Sequence, residues 1–353
     1  MKKLSPIFLK CLAPLALFFL MNCQHNEKSD NESLKIIFDT DMGSDCDDAG
    51  ALALLHAYAD MGNVEIIGCI YSSGVIPFGA GIVEAINTYY GRPEIPIGAN
   101  YEKEVGDPVD KMQTEKLAKD TAAFKNTIIE NNDAEEQTRL NRRLLAAAED
   151  TSIVYLTVGH TKGLYDLLVS EPDDISPLNG FELTAKKIKK WVAMGAVGAK
   201  DDYSKDWNLF RNGTAPYSKY LTENFPRPVY FSPDGTTVLT GRSLKHTPPG
   251  NMVRTAYRDW LWWHGKRTLD DQRSSWDLIA VYFAVEGPGE FLDIYGKGRL
   301  EVDVERGCKW HEGESEIDQT YVIQKGGTDE DFADYLNEMI GRIPKYYDKE
   351  LFK

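Results

Sequence analysis

The stretch Leu34-Lys-Ile-Ile-Phe-Asp39-Thr-Asp41-Met-Gly43-Ser-Asp45-Cys-Asp47-Asp48-Ala49 decides how this chain reads. Leu34–Phe38 is a short apolar run, and Ala49–Tyr58 is an Ala/Leu-rich helical run. Between them, five aspartates crowd the ten residues from Asp39 to Asp48. Carboxylates this dense at one strand-to-helix turn repel one another unless a cation or a charge-seeking ligand compensates them. A solvated loop capping the next helix accounts for Asp47 and Asp48, which suit a helix N-terminus. It leaves the other three unexplained.

Working outward, short β-branched runs alternate with helical patterns. Strands are expected at 34–38, 64–71, 95–97, 153–158, 191–194 and 229–232, and helices at 48–58, 80–90, 134–148, 161–169, 215–223, 277–285 and 330–340. Nearly continuous apolar strands alternating with helices predict an α/β fold. The expected form is a single domain over 34–353 with a mostly parallel central sheet flanked by helices on both faces. In such sheets ligands bind beyond the carboxyl ends of the strands, where the aspartate run falls.

The N-terminus reads as a targeting segment. Lys2 and Lys3 precede the apolar run Ile7–Met21, and Leu20-Met21-Asn22-Cys23 resembles a bacterial lipobox. Residues 1–22 are expected to be a signal peptide. Cys23 would then be the lipidated membrane anchor of an exported lipoprotein, with 23–33 as a tether. The net charge of −15 argues against a nucleic-acid partner and favours cations. Cys46, Cys69 and Cys308 sit at no metal-like spacing, so neither a disulfide scaffold nor a thiolate site is expected.

Three chemistries could use the aspartate run. An EF-hand loop fails, because counting from Asp39 or Asp45 gives neither the sixth-position glycine nor the closing glutamate. An aspartyl nucleophile of the phosphatase type would follow its second acid with a different turn from Met42-Gly43. A hard-cation site remains, with some aspartates holding calcium and others a polyol; calcium takes six to eight oxygens.

Asp39-Thr-Asp41-Met-Gly43, then Asp47-Asp48-Ala49 and an Ala/Leu helix, resembles the N-terminal signature of the inosine-uridine-preferring nucleoside hydrolase family. The commoner form has one residue between the glycine and the paired aspartates; here Ser44-Asp45-Cys46 fills that space. The resemblance implies that Asp41, Asp48, Asp277 and the backbone carbonyl of Val158 ligate Ca2+, and that Asp41 is the general base. It further implies that Asp47, Asp206 and Asn208 bind the ribose, and that Trp276 stacks on the leaving base as in purine-specific members. The expected reaction is hydrolysis of a ribonucleoside to ribose and free base by a homo-oligomer. Alternatives are action on another ribosyl or glycosyl conjugate, and nucleoside or sugar binding without turnover.

Several positions depart from that pattern. Val75 stands where a ribose-contacting asparagine is usual, and Thr161-Lys162-Gly163 replaces a Leu-Thr-Asn. Trp276 replaces a histidine, and Asp206 a longer glutamate. The stretch Tyr257-Arg-Asp-Trp260-Leu-Trp262-Trp263-His264 reads either as an aromatic lid bringing His264 or Arg258 to the leaving group, or as an amphipathic helix packed on the core. His160 reads as a structural histidine beside the proposed metal carbonyl.

Overall fold

The computed structural model describes residues 33–352. The expected signal peptide and the tether through residue 32, Cys23 included, lie outside the described residues. Twelve strands are present: β1 (Leu34–Thr40), β2 (Val64–Tyr71), β3 (Ile97–Ala99), β4 (Glu135–Glu136), β5 (Ile153–Thr157), β6 (Ile188–Met194), β7 (Val229–Ser232), β8 (Leu239–Thr240), β9 (Arg273–Ser274), β10 (Leu292–Asp303), β11 (Gly307–Glu312) and β12 (Gln319–Gln324). Ten form one sheet in the order β11-β10-β12-β7-β6-β5-β1-β2-β3-β4, while β8 and β9 make a separate antiparallel pair. From β12 to β4 every pairing is parallel. β10 runs antiparallel to both its neighbours. From Ser33 onward the chain is one compact unit.

The expected mostly parallel sheet is therefore present, with β1 near its centre. Alternate residues of β1 enter different cores. Ile36 and Phe38 pack with the helices Asp47–Asp60 and Trp276–Glu286, whereas Ile37 packs with Tyr155, Leu164 and Leu183 on the other face. A strand buried on both faces must be apolar at every position, and this is why Leu34–Phe38 stands out in the sequence.

Three regions differ from the sequence expectation. The third strand lies at Ile97–Ala99 rather than 95–97, placing its end beside β2. The helix expected at 134–148 begins only at Gln137, because Glu136 caps it by accepting from the N–H groups of Thr138 and Arg139. The arm β10–β12 was not expected at all. β10 alternates buried and exposed residues, and Gly296, Lys297, Gly298 and Arg299 interrupt its apolar character. Such a half-exposed strand carries little signal apart from its partners.

The helices Asp47–Asp60, Met252–Trp263 and Trp276–Glu286 pack tightly beside the sheet edge. A Cβ on Gly50 would meet Tyr257 Oη at 2.4 Å and Leu278 Cδ1 at 3.0 Å. Tyr257 and Leu278 are both fully buried and have no room to retreat. The glycine thus sets how closely the starts of the first and last of these helices approach. Gly50→Ala should lower stability by about 1–3 kcal/mol through overpacking, outweighing the ~1 kcal/mol gain in helix propensity. Urea unfolding measures this; a midpoint at or above wild type would show that the helices part without cost.

Candidate functional site

The chain leaves β1 at Thr40 and turns into the helix Asp47–Asp60, so the aspartate run lies at the carboxyl edge of the sheet. β5 ends beside it, and the N–H of Val158 donates to the Asp39 carbonyl at 2.8 Å. Gly159 follows. A Cβ there would lie 2.5 Å from Asp41 N and 2.8 Å from Asp41 Cβ, so only glycine lets the two loops touch. The helix Trp276–Glu286 brings Asp277, in its first turn, to the same place.

Carboxylate oxygens of Asp47, Asp48 and Asp277 lie within 4.8 Å of one another, all three residues being buried. Asp41 forms a second group with Asp107 and His160 under the same limit. Thr40 Oγ1 donates to Asp48 at 2.5 Å, and the N–H groups of Asp41 and Asp277 point at Asp48 and Asp47, each at 3.4 Å. His160 Nε2 is 3.1 Å from Asp41 Oδ2 and 3.6 Å from Asp107, yet neither Asp41 Oδ2 nor either ring nitrogen has an aligned hydrogen bond. Burial first, and then neighbouring carboxylates, push Asp41, Asp47, Asp48 and Asp277 well above the ordinary aspartate range. Burial pushes Asp107 upward too, but the nearby His160 ring and the Ser44 hydroxyl, which donates to it, hold it below that range. Asp39, one turn deeper, is raised to about 7 by burial against hydrogen bonds from Ser72 and Tyr155.

A cleft of about 500 Å³ opens over this floor, lined by Asp41, Asp47, Asp48, Val158 and Asp277 among others. Every residue expected to contact metal or substrate borders it, but the roles differ in detail. Asp206 lines the cleft with its carboxylate already engaged: Asn208 and Leu209 donate to one oxygen and Val197 to the other. Asn208 Nδ2 donates to the Val158 carbonyl at 2.6 Å and to Met194 sulfur. A carbonyl has two lone pairs, so one on Val158 remains for a cation. Trp276 is half-buried with its indole N–H on Thr236, and the Arg273 guanidinium lies over its ring at 4.6 Å. Val75 is not among the lining residues.

The 257–264 stretch is the amphipathic helix of the two readings. Tyr257, Trp260 and Leu261 are buried, and Trp260 donates to the Ser44 carbonyl at 2.8 Å. Trp260 and His264 border the cleft, whereas Trp262 and Trp263 face outward and Arg258 pairs with its neighbour Asp259. Sequence reasoning missed Asp107, held by Ser44 and Asn212, and the ion pair of Asp45 with Arg273. Asp45 belongs to the three-residue spacer, so the longer spacing itself was the available signal. His160 was in view but taken as structural.

No family model matches the chain, and no curated protein matches it. Solved structures do. The purine-preferring ribonucleoside hydrolase from Gardnerella vaginalis superposes with a TM-score of 0.60 at 17% identity, covering 88% of this chain and 99% of that one. The inosine-guanosine nucleoside hydrolase IG-NH gives 0.62 at 15%, covering 87% and 98%. The chain has the nucleoside hydrolase fold. The same fold matches the type III effector protein XopQ complexed with adenosine diphosphate ribose, with a TM-score of 0.58 at 12% identity over 89% and 95% of the two chains.

On this fold the floor suits a hard cation. Oxygens bound to one calcium at about 2.4 Å stand at most about 4.8 Å apart, which is the limit within which Asp47, Asp48 and Asp277 meet. Asp41 Oδ2, buried without a hydrogen bond, is a further oxygen in want of a partner. The unfolded chain ionises these aspartates near 3.8, while the folded chain holds their protons to higher pH. Between those limits the folded state binds more protons, so stability falls as pH rises. Without divalent cations, the thermal midpoint should therefore drop from about pH 4 toward neutrality. Calcium at a hundred times its Kd should restore about 2.7 kcal/mol, with a larger shift at neutral pH than near pH 5. A calcium shift no larger at neutral pH would place the ion elsewhere.

Proposed function

We propose that the protein is a calcium-dependent hydrolase of N-ribosyl bonds, cleaving a ribonucleoside-type substrate to ribose and free base. The observation that carries this reading is the meeting of Asp47 and Asp48 with Asp277, more than 200 positions along the chain, beside the Asp41 group at the carboxyl edge of the sheet. The similarity to solved ribonucleoside hydrolases supports it. Asp41, Asp48, Asp277 and the Val158 carbonyl would hold the ion, whose bound state supplies Lewis-acid polarisation and a diol anchor.

The chain's own groups then divide the reaction. Asp47, in the first turn of its helix, accepts from a ribose hydroxyl. Buried carboxylates around the sugar favour the positive charge that grows as the C1′–N bond lengthens. Asp41 takes the proton of the attacking water, a general-base contribution of typically ~10²–10⁴-fold, with His160 packed against its outer oxygen. On the leaving-group side Arg273 lies over the rings of both Trp260 and Trp276, at 4.5 and 4.6 Å. Its charge is paired with Asp45, so it contributes by holding the two rings in place as a flat wall for the departing base. The planar, aromatic wall favours purines.

Asp206 and Asn208 contribute by shape: the loop they pin forms one wall of the cleft. Export as a lipoprotein anchored through Cys23 and assembly into a homo-oligomer complete the proposal, the former resting on Lys2, Lys3 and the lipobox-like 20–23. Cys23→Ala should move the protein from the membrane fraction to the soluble fraction; retention in the membrane would refute the anchor.

Asp41→Asn should reduce kcat for base release by about 10²–10⁴-fold. Asp277→Asn should abolish turnover and also weaken calcium binding, read by calorimetry. Calcium affinity at the wild-type level in Asp277→Asn would remove that residue from the ligand set. Purine and pyrimidine ribonucleosides assayed side by side test the base preference.

A further inference from the structure

The cleft has two layers of opposite charge. Its floor is acidic, whereas its mouth carries Lys111, Lys205, Arg211 and Arg267 besides Arg273. Arg273 is neutralised by Asp45. Among the described residues, none of the other four has a carboxylate within ion-pair distance, although the protein carries a net charge of −15. They come from separate segments. Lys111 belongs to a loop whose backbone N–H donates to the Gly43 carbonyl at 2.9 Å. Lys205 and Arg211 flank the Asp206–Asn208 wall, and Arg267 follows the helix Met252–Trp263, its guanidinium donating to the carbonyls of Asp271 and Gln272.

Lys205 and Arg211 are exposed and Lys111 and Arg267 half-buried, and cations at such a rim add little to stability, because water and salt screen them. Their field is concentrated inside a cleft, where it acts on whatever enters. In the wall between Lys205 and Arg211, Asp206 already accepts three backbone N–H groups and the Asn208 amide nitrogen donates to Val158 and Met194, so a ligand there finds acceptors only, the remaining Asp206 lone pairs and Asn208 Oδ1. What it presents toward the mouth is the exposed Trp207 ring, with Lys111 and Arg211 at 5.9 and 5.5 Å from its centroid. A neutral nucleoside has no use for such a rim; a phosphorylated one does.

We propose that the substrate is a ribosyl conjugate bearing a phosphate or pyrophosphate, with the ribose on the acidic floor and the anionic group held at the mouth by Lys111, Lys205, Arg211 and Arg267. This rests on the N-ribosyl hydrolase reading for the sugar's place and specifies what the sugar carries. Hydrogen bonds to charged groups are worth about 10- to 100-fold in affinity.

The test uses the calcium-loaded protein and two readouts. Calorimetry compares ribose, ribose 5-phosphate and inorganic phosphate; kinetics compares inosine with inosine 5′-monophosphate. Ribose 5-phosphate should bind at least about tenfold more tightly than either ribose or phosphate alone, with the advantage shrinking as salt rises. The double variant Lys205→Gln/Arg211→Gln, changed only at exposed positions, should bring the ratio of kcat/KM for the two inosine substrates toward one. The charge-reversing Lys205→Glu should lower that ratio in the same direction. Equal binding of ribose and ribose 5-phosphate, a ratio unmoved by these variants, or free phosphate binding as well as the sugar phosphate would each overturn the proposal. Hydrolysis of inosine without any phosphate advantage would leave the hydrolase reading standing and sink this one. Tight, salt-sensitive binding of ribose 5-phosphate without turnover of either inosine substrate would sink the hydrolase reading and uphold only the anion site at the mouth.

Discussion

The structure is organised around a costly arrangement: several carboxylates buried together at one edge of a sheet. Isolated buried charges are strongly unfavourable, and groups in that position either shed their charge or find a counter-charge. Here the raised pKa values of Asp41, Asp47, Asp48 and Asp277 mark the first course, and the spacing of the Asp47, Asp48 and Asp277 oxygens marks readiness for the second. Two helix N-termini point into the cluster, but each dipole is worth only about 0.3–1 kcal/mol. They orient the acids without balancing them. Tight backbone contacts hold the groups together against their repulsion: Gly159 against Asp41, and Gly50 under Tyr257 and Leu278. The surrounding core supplies the rigidity that those contacts need, since β1 and both adjoining helices are buried on all sides.

Much of this was legible in the sequence because its information was local. A strand buried on both faces has to be apolar throughout, and a strand-to-helix turn full of aspartates has few explanations. Asp277 was found through a short pattern at the start of a late helix, not through any measure of its distance from Asp41. The parts that stayed hidden depend on contacts between remote segments. Asp107 lies in a loop with no distinguishing pattern and matters only because the fold sets it beside Ser44, His160 and Asn212. Asp206 and Asn208 show the converse. Their residue types suit a diol, but hydrogen bonds formed in the folded chain commit them largely to the protein itself. The arm β10–β12 was hidden for a third reason, since glycines and charges on its exposed side mask the alternation that its buried side keeps.

The spacer Ser44-Asp45-Cys46 links the two halves of the site. Cys46 is buried in the core, Ser44 bonds Asp107 through its hydroxyl and Trp260 through its carbonyl, and Asp45 turns outward to Arg273. This three-residue spacer therefore ties the acidic floor to the aromatic wall and to the loop that carries Lys111. A two-residue change in length at a strand-to-helix turn would ordinarily be absorbed as a surface bulge. Here it is anchored on three sides, and Ser44 and Asp45 border the cleft beside Trp260 and Arg273.

Fold alone does not fix chemistry, since one scaffold hosts many sites. In this protein the acidic floor and the basic mouth separate two questions that the fold leaves joined. In the proposed reaction the floor would determine which bond is broken, because the buried carboxylates that could hold a cation and act as base lie there. The mouth would determine what else the sugar carries, through charges that water and salt screen too well to matter for stability. Alteration of the mouth leaves the buried carboxylates and their packing untouched, so substrate range can change while the hydrolytic centre stays fixed. Among the departures from the pattern that the sequence resembles, Asp206 and the Ser44-Asp45 part of the spacer border the cleft, whereas Val75 does not. Asp41, Asp48 and Asp277 are retained.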